Sequence, residues 1–154
     1  MHADLWTFSL NTYARPGVEE ACLALQAQGA NVCLLLCAAW LGLRGVRCEA
    51  ERSRQLQALA EPWHEQVVQP LRQLRLQWRK AASQDVELKV LRDQVKALEL
   101  AAEQQLLQRL EALGRNWPEV GAEDLDAWLE AVAAQAAGLN RDALRQLRVA
   151  VSQA

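Results

Sequence analysis

Hydrophobic positions recur at helical spacing along most of the chain, and at one place their polar counterpart disappears. From Asn31 to Leu43 the sequence reads NVCLLLCAAWLGL, without a charge. A bilayer span needs roughly twenty apolar residues, so this run is too short. It lacks the alternation of a half-buried strand. It predicts a helix over 31–43 that is buried on all sides, with other helices packed around it.

The flanking patterns supply those helices. Asp4 caps a short helix carrying Leu5, Trp6, Phe8 and Leu10, broken at Ala14-Arg15-Pro16-Gly17. A second helix over about 17–28 puts Val18, Cys22 and Leu25 on one stripe, with Glu19 and Glu20 in its first turn and Gly29 at its end. Asn31 caps the buried helix, which stops near Gly42 and Gly45. A helix over about 47–60 turns Leu56 and Leu59 inward, and Pro62 suits the first turn of another. Pro70 then predicts a kink or break near 66–70. Beyond it, Leu71, Leu74 and Trp78 continue a stripe begun by Val67.

The longest pattern runs over 85–113. Its stripe is Leu88, Leu91, Val95, Leu98, Ala102, Leu106, Leu110 and Leu113, coiled-coil-like at first and with a stutter at 102–110. Antiparallel packing inside one bundle fits it better than a long exposed coiled coil, and pairing with a second copy is the oligomeric alternative. After a loop at Asn116-Trp117-Pro118 and Gly121, a helix over about 123–137 buries Leu125, Trp128, Leu129 and Val132 and stops at Gly138. Asn140 caps a last helix with Leu144, Leu147 and Val151 inward. The expected fold is all-α: one domain over 1–154, a bundle of about six to eight helices. It divides into a helical core at 4–43, a basic amphipathic region at 47–82, the long helix at 85–113 and C-terminal helices at 123–152.

Composition agrees with helix over sheet: Leu, Ala, Gln, Glu and Arg abound, with one Tyr and one Phe among 154 residues. Net charge is only −2, which gives no global pull toward nucleic acid or an anionic membrane. Its distribution is more telling. Residues 1–43 sum to −2, residues 44–96 to +4 (eleven basic, seven acidic) and residues 97–154 to −4 (five basic, nine acidic). No Lys or Arg precedes Arg15, and the apolar run comes late for a secretory leader. Cys22, Cys33, Cys37 and Cys48 therefore read as reduced thiols of a cytoplasmic protein.

The most specific polar pattern is Arg72, Arg75 and Arg79, with Lys80 beside it, in a stretch without an acidic residue between Gln66 and Gln84. Each arginine follows an apolar-stripe residue by one position, so the row lies about 100° round the helix from that stripe. Forked guanidinium hydrogen bonds suit carboxylates or phosphates. Pairing with the acidic C-terminal helices is the bland reading; an acidic protein partner is the functional one. Trp63 and His64 sit just upstream. His64 beside Glu65 has the makings of an acid–base pair, but no nucleophile motif accompanies it, and a surface or capping role fits better. Cys33 and Cys37 are four apart and, with Cys22 and His64, lack zinc-site spacing. Glu99 and Glu103 are also four apart but lack the Glu-x-x-His of two-metal bundles. No cofactor, metal site or catalytic residue is assigned. Of the six tryptophans, Trp63 and Trp117, both beside prolines, are the best candidates for exposed interface anchors.

The opening Leu5-Trp6-Thr7-Phe8-Ser9-Leu10, the segment Tyr13-Ala14-Arg15-Pro16-Gly17-Val18, Cys22-Leu23 with Leu25-Gln26, and Asn31-Val32-Cys33-Leu34-Leu35-Leu36 resemble a family of small bacterial proteins of unknown function. So do Pro62-Trp63, Val67-Val68, Pro70-Leu71-Arg72 with Leu74-Arg75, and Glu99-Leu100 with Ala102-Glu103. The likeness covers the first two thirds of the chain. It implies a bacterial cytoplasmic protein and transfers no catalytic residue.

The leading expectation is a non-enzymatic interaction or regulatory module that meets an acidic protein through Arg72, Arg75, Arg79, Lys80, Trp63 and His64. The alternative is a helical pocket protein or enzyme that holds an anionic phosphate or carboxylate ligand. The acidic C-terminal region argues against nucleic acid.

Overall fold

The computed structural model describes residues 4–152, with side chains at all of these positions except 134–137. Its elements are α1 (Leu5–Tyr13), α2 (Val18–Ala27), α3 (Val32–Leu43), α4 (Ala50–Trp63), a π-helical segment (His64–Val68), α5 (Gln69–Gln77), α6 (Arg79–Ala82), α7 (Val86–Gly114), α8 (Leu125–Leu139) and α9 (Arg141–Ser152). The fold is all-α. An isolated bridge pairs Val46 with Glu119.

Side-chain caps set several boundaries. Asp4 accepts from the Thr7 amide (2.7 Å), and Asn31 from those of Cys33 (3.0 Å) and Leu34 (3.4 Å). Asp85 accepts from Leu88 (3.1 Å) and Asn140 from Ala143 (3.0 Å). Each satisfies amide groups that a helix start leaves without an internal partner.

The apolar run forms the central helix. Every residue of α3 from Cys33 to Gly42 is buried, and α3 touches α1, α2, α4, α7, α8 and α9. Its closest neighbour is α8. A Cβ on Gly42 would lie 2.6 Å from the Leu125 Cα, and the Gly42 carbonyl accepts from the Asp124 amide (3.0 Å). Loops on either side lock this crossing. Buried Trp128 donates its indole N–H to the Val46 carbonyl (2.7 Å), and the Asp124 carboxylate accepts from the Cys48 amide (2.7 Å).

Three expectations need correction. Pro62 lies inside α4, near its end, and does not start a new helix. The chain stays helical through both prolines by widening into the π segment, where the Gln69 amide donates to the His64 carbonyl five residues back. A proline ring clashes with the carbonyl four residues earlier, and the wider turn relieves that crowding ahead of Pro70. Gly138 does not stop α8, which continues to Leu139. Finally, Leu91 and Leu98 of the long helix are about half exposed. The first half of α7 projects past the bundle, and α5 and α6 pack along it. The positions on its covered side include Leu88, Arg92, Val95 and Glu99, a register set by the arginines of α5 and described below.

Gly42→Ala should lower stability by about 2–3 kcal/mol through overpacking against the α8 backbone. Gly138→Ala, whose Cβ meets nothing within 4 Å, should gain up to about 1 kcal/mol from helix propensity. Urea unfolding of the two variants checks both signs.

Candidate functional site

Arg72 and Arg75 share one face of α5, and both turn toward Glu99 of α7. Arg75 makes a forked contact, Nε to Oε1 at 2.5 Å and Nη2 to Oε2 at 3.3 Å; Arg72 Nε reaches Oε2 at 3.0 Å. The Glu99 side chain is only 7% exposed. Burial pushes its carboxyl pKa up, but the hydrogen bonds from Arg75 and Arg72 outweigh burial and hold it below the ordinary value. Arg72 also reaches α2: with the Gln26 amide oriented oxygen-first, that oxygen accepts from its guanidinium (Nη2, 3.1 Å). The Arg75 carbonyl accepts from Arg92 Nε (2.9 Å), which fastens the last turn of α5 to α7.

The other residues singled out from the sequence separate from this pair. Arg79 and Lys80 are exposed on α6. Trp63 is half-buried; its indole N–H donates to the Ala102 carbonyl (2.9 Å), and Arg109 lies over its ring at 4.2 Å. Trp117 is also half-buried, stacked on Trp128 with centroids 6.1 Å apart. His64, in the π segment, lines a cleft with Gln26, Gln69 and Arg72. Burial, then Arg72, lowers its pKa. The arginines therefore find their acidic partner on the long helix itself, one element earlier than the C-terminal helices.

Arg72, Arg75 and Glu99 form one wall of a cavity of about 670 Å³. Trp6, Ser9, Leu10 and Tyr13 come from α1; Glu19, Leu23 and Gln26 from α2; Val32, Cys33 and Leu36 from α3. The long helix contributes Lys96, Ala97, Leu100, Glu103 and Leu107. Two contacts fix where α1 and α3 meet α7. The Leu5 amide donates to the Glu111 carboxylate (2.6 Å), and Cys33 Sγ lies 3.9 Å from the Glu103 carbonyl. Helix α1 thus starts at the level of Glu111 and, with Tyr13 influenced by Glu103, runs antiparallel to α7. Ser9, one turn beyond Leu5, and Leu107, one turn before Glu111, both line the cavity. The mouth lies at exposed Lys96, Ala97 and Leu100, and the floor at buried Leu36, Leu107 and Ser9.

Polar groups inside this cavity are incompletely paired. The Ser9 hydroxyl is buried, at 4% residue exposure, and has no hydrogen-bond partner among the described residues. Glu103 is partly buried, and its carboxylate enters no hydrogen bond or ion pair among the described residues. Burial raises its pKa, and Arg72 only partly relieves it. Burial also pushes the Tyr13 phenol up to about 12 and the Cys22 and Cys37 thiols to about 12; Cys33 shifts the same way. These groups are held protonated at neutral pH, so none is an activated nucleophile. Among the described residues, no three His, Cys, Asp or Glu side chains are grouped to hold a metal ion. No helix among them is long and apolar enough to cross a membrane.

Replacing Glu99 by Gln leaves two guanidinium groups facing an uncharged amide and should lower stability by about 2–3 kcal/mol. The pH dependence has a definite sign. Because the folded-state pKa of Glu99 is lowered, its contribution is complete above the ordinary carboxylate pKa and is lost as pH falls through the folded value. Wild type should therefore lose more stability than Glu99→Gln between neutral and strongly acid pH, as read by denaturant midpoints.

No match was found among curated proteins or among solved structures. A family model described as "Protein of unknown function (DUF2390)" matches residues 4–110. That span holds α1 to α6 and most of α7, hence every residue that lines the cavity. With more than half of the chain matched, this protein belongs to the DUF2390 family.

Proposed function

We propose that this protein binds a small amphipathic molecule in the cavity between α1, α2, α3, α5 and α7. The observation that carries this reading is the buried, unpartnered Ser9 hydroxyl at the cavity floor. Buried hydroxyls almost always find a partner, and leaving one unpaired is unfavourable by about 1–3 kcal/mol. A ligand atom would supply the missing bond. The volume falls in the range of small-molecule sites, and the lining is mostly apolar with a few convergent polar groups, as such sites usually are. The protonated state of Tyr13 and the cysteines favours binding over catalysis.

A second reading keeps the protein partner expected from the sequence and moves it to the projecting arm. Arg79 and Lys80 are exposed on α6, and Leu76, Val86, Val90 and Leu91 are exposed on α5 and the first half of α7, the helices that make up the arm with it. Charge and apolar surface together suit an acidic, amphipathic protein segment.

Octan-1-ol should raise the melting temperature of the wild type, since a ligand of the native state stabilises it by mass action. Ala97→Trp, which fills the cavity from its exposed mouth, should abolish the shift. A shift of equal size in wild type and variant would remove the cavity reading. For the arm, Arg79→Glu/Lys80→Glu should lose whatever protein the wild type retains from a host lysate; unchanged retention would remove that reading.

A further inference from the structure

We infer that the cavity ligand carries an amine, held as an ammonium between the Glu103 carboxylate and the Ser9 hydroxyl, with an apolar body extending toward Leu100 at the mouth. This rests on the cavity reading above and names its ligand class. The sign of charge follows from which polar groups are already engaged. Glu99 holds both cavity arginines, Arg72 is further tied to Gln26, and Lys96, the remaining cation of the lining, sits exposed at the mouth, away from the floor. The forked anion sites expected from the sequence are thereby occupied by the protein's own carboxylate. Glu103 is the inner carboxylate without a hydrogen-bond donor among the described residues. A carboxylate accepts and cannot donate when ionised, so its complement is a donor, and a cationic donor makes the stronger bond. Glu103 and Leu107 are one helical turn apart along α7, and Ser9 and Leu107 each lie one turn from the contact between Leu5 and Glu111. An ammonium placed between Glu103 and Ser9 has an acceptor on either side.

The groups that face Glu103 decide how binding varies with pH. They are Tyr13 from α1, Glu19 from α2, Cys33 from α3, Arg72 and Arg75 from α5, and Lys96 and Glu99 from α7. Tyr13 and Cys33 stay protonated, and the arginines charged, across the acid and neutral range. Glu99 remains ionised to lower pH than an ordinary carboxyl. Glu103, its pKa raised by burial, is the inner group that gains charge as pH rises through its folded value. Amine binding should strengthen over that interval and then level off.

Calorimetric titration with octylamine, octanoate and octan-1-ol, which share one body and differ in head, tests this. Octylamine should bind wild type at least about tenfold tighter than octanoate, the equivalent of one ion-paired hydrogen bond. Glu103→Gln should lose that preference and the pH dependence while still binding octan-1-ol. Glu87→Gln, at the exposed start of α7 and outside the cavity lining, should keep both, and Ala97→Trp should bind none of the probes. Octan-1-ol binding that Ala97→Trp abolishes, without a preference for the amine, would overturn the amine inference and leave the cavity reading standing. So would tighter binding of octanoate. Failure of all three probes to bind wild type would overturn both.

Discussion

A helix without a polar face must be covered on every side, and that requirement organises this fold. From Cys33 to Gly42, α3 offers water nothing. Six other helices touch it, and the contacts that fix their approach are specific. Gly42 lets the α8 backbone come within the space a methyl group would fill, and Trp128 ties α8 back to the loop that follows α3. Desolvating the α3 side chains drives the assembly; the glycine and the indole hydrogen bond select one arrangement of it.

Charge settles what burial leaves open. The α5–α7 pair has a thin apolar seam, with Leu71, Leu74 and Trp78 only half-buried. The Arg72–Glu99–Arg75 cluster holds it in register. Buried charges are tolerated only when paired and hydrogen-bonded, so Glu99 must face α5, and this sets the rotation of the long helix. The same rotation carries Glu103, one turn on, to the cavity wall. The cavity is thus a by-product of the alignment that satisfies Glu99, and its unpaired groups are those the cluster does not reach.

Much of the fold was legible in the sequence. Asp4, Asn31 and Asn140 announced helix starts through cap chemistry, and the uncharged run announced the central helix. The errors have local causes. Pro62 and Pro70 are ordinary helix punctuation, and nothing in residue type distinguishes a break from a π turn that absorbs them. Leu91 and Leu98 fit an apolar stripe as well as the true register does, because the deciding residue, Glu99, is polar and stripe-reading skips it. The candidate site was half visible. Arg72 and Arg75 stood out as a row, but a row of cations does not disclose whether its carboxylate belongs to a partner or to a helix some twenty-five residues away. Ser9 gave no signal as a site residue, being a serine in an apolar helix, and Glu103 stood out only as half of an i, i+4 carboxylate pair that lacks the Glu-x-x-His of a two-metal site.

The π segment has a consequence for how this family can vary in length. A π turn accommodates an extra residue within an otherwise continuous helix, and each residue of an α-helix advances the face by about 100°. Removing one residue from His64–Val68 would return the stretch to α geometry, and the tighter turn would make up the lost rotation, so α5 would keep nearly the same face toward α7. Arg72 and Arg75 would then still meet Glu99. A single-codon deletion between the segment and the arginines has no such compensation and would swing them aside by about 100°. Across relatives, the length of this turn can change while the spacing from its end to the two arginines stays fixed.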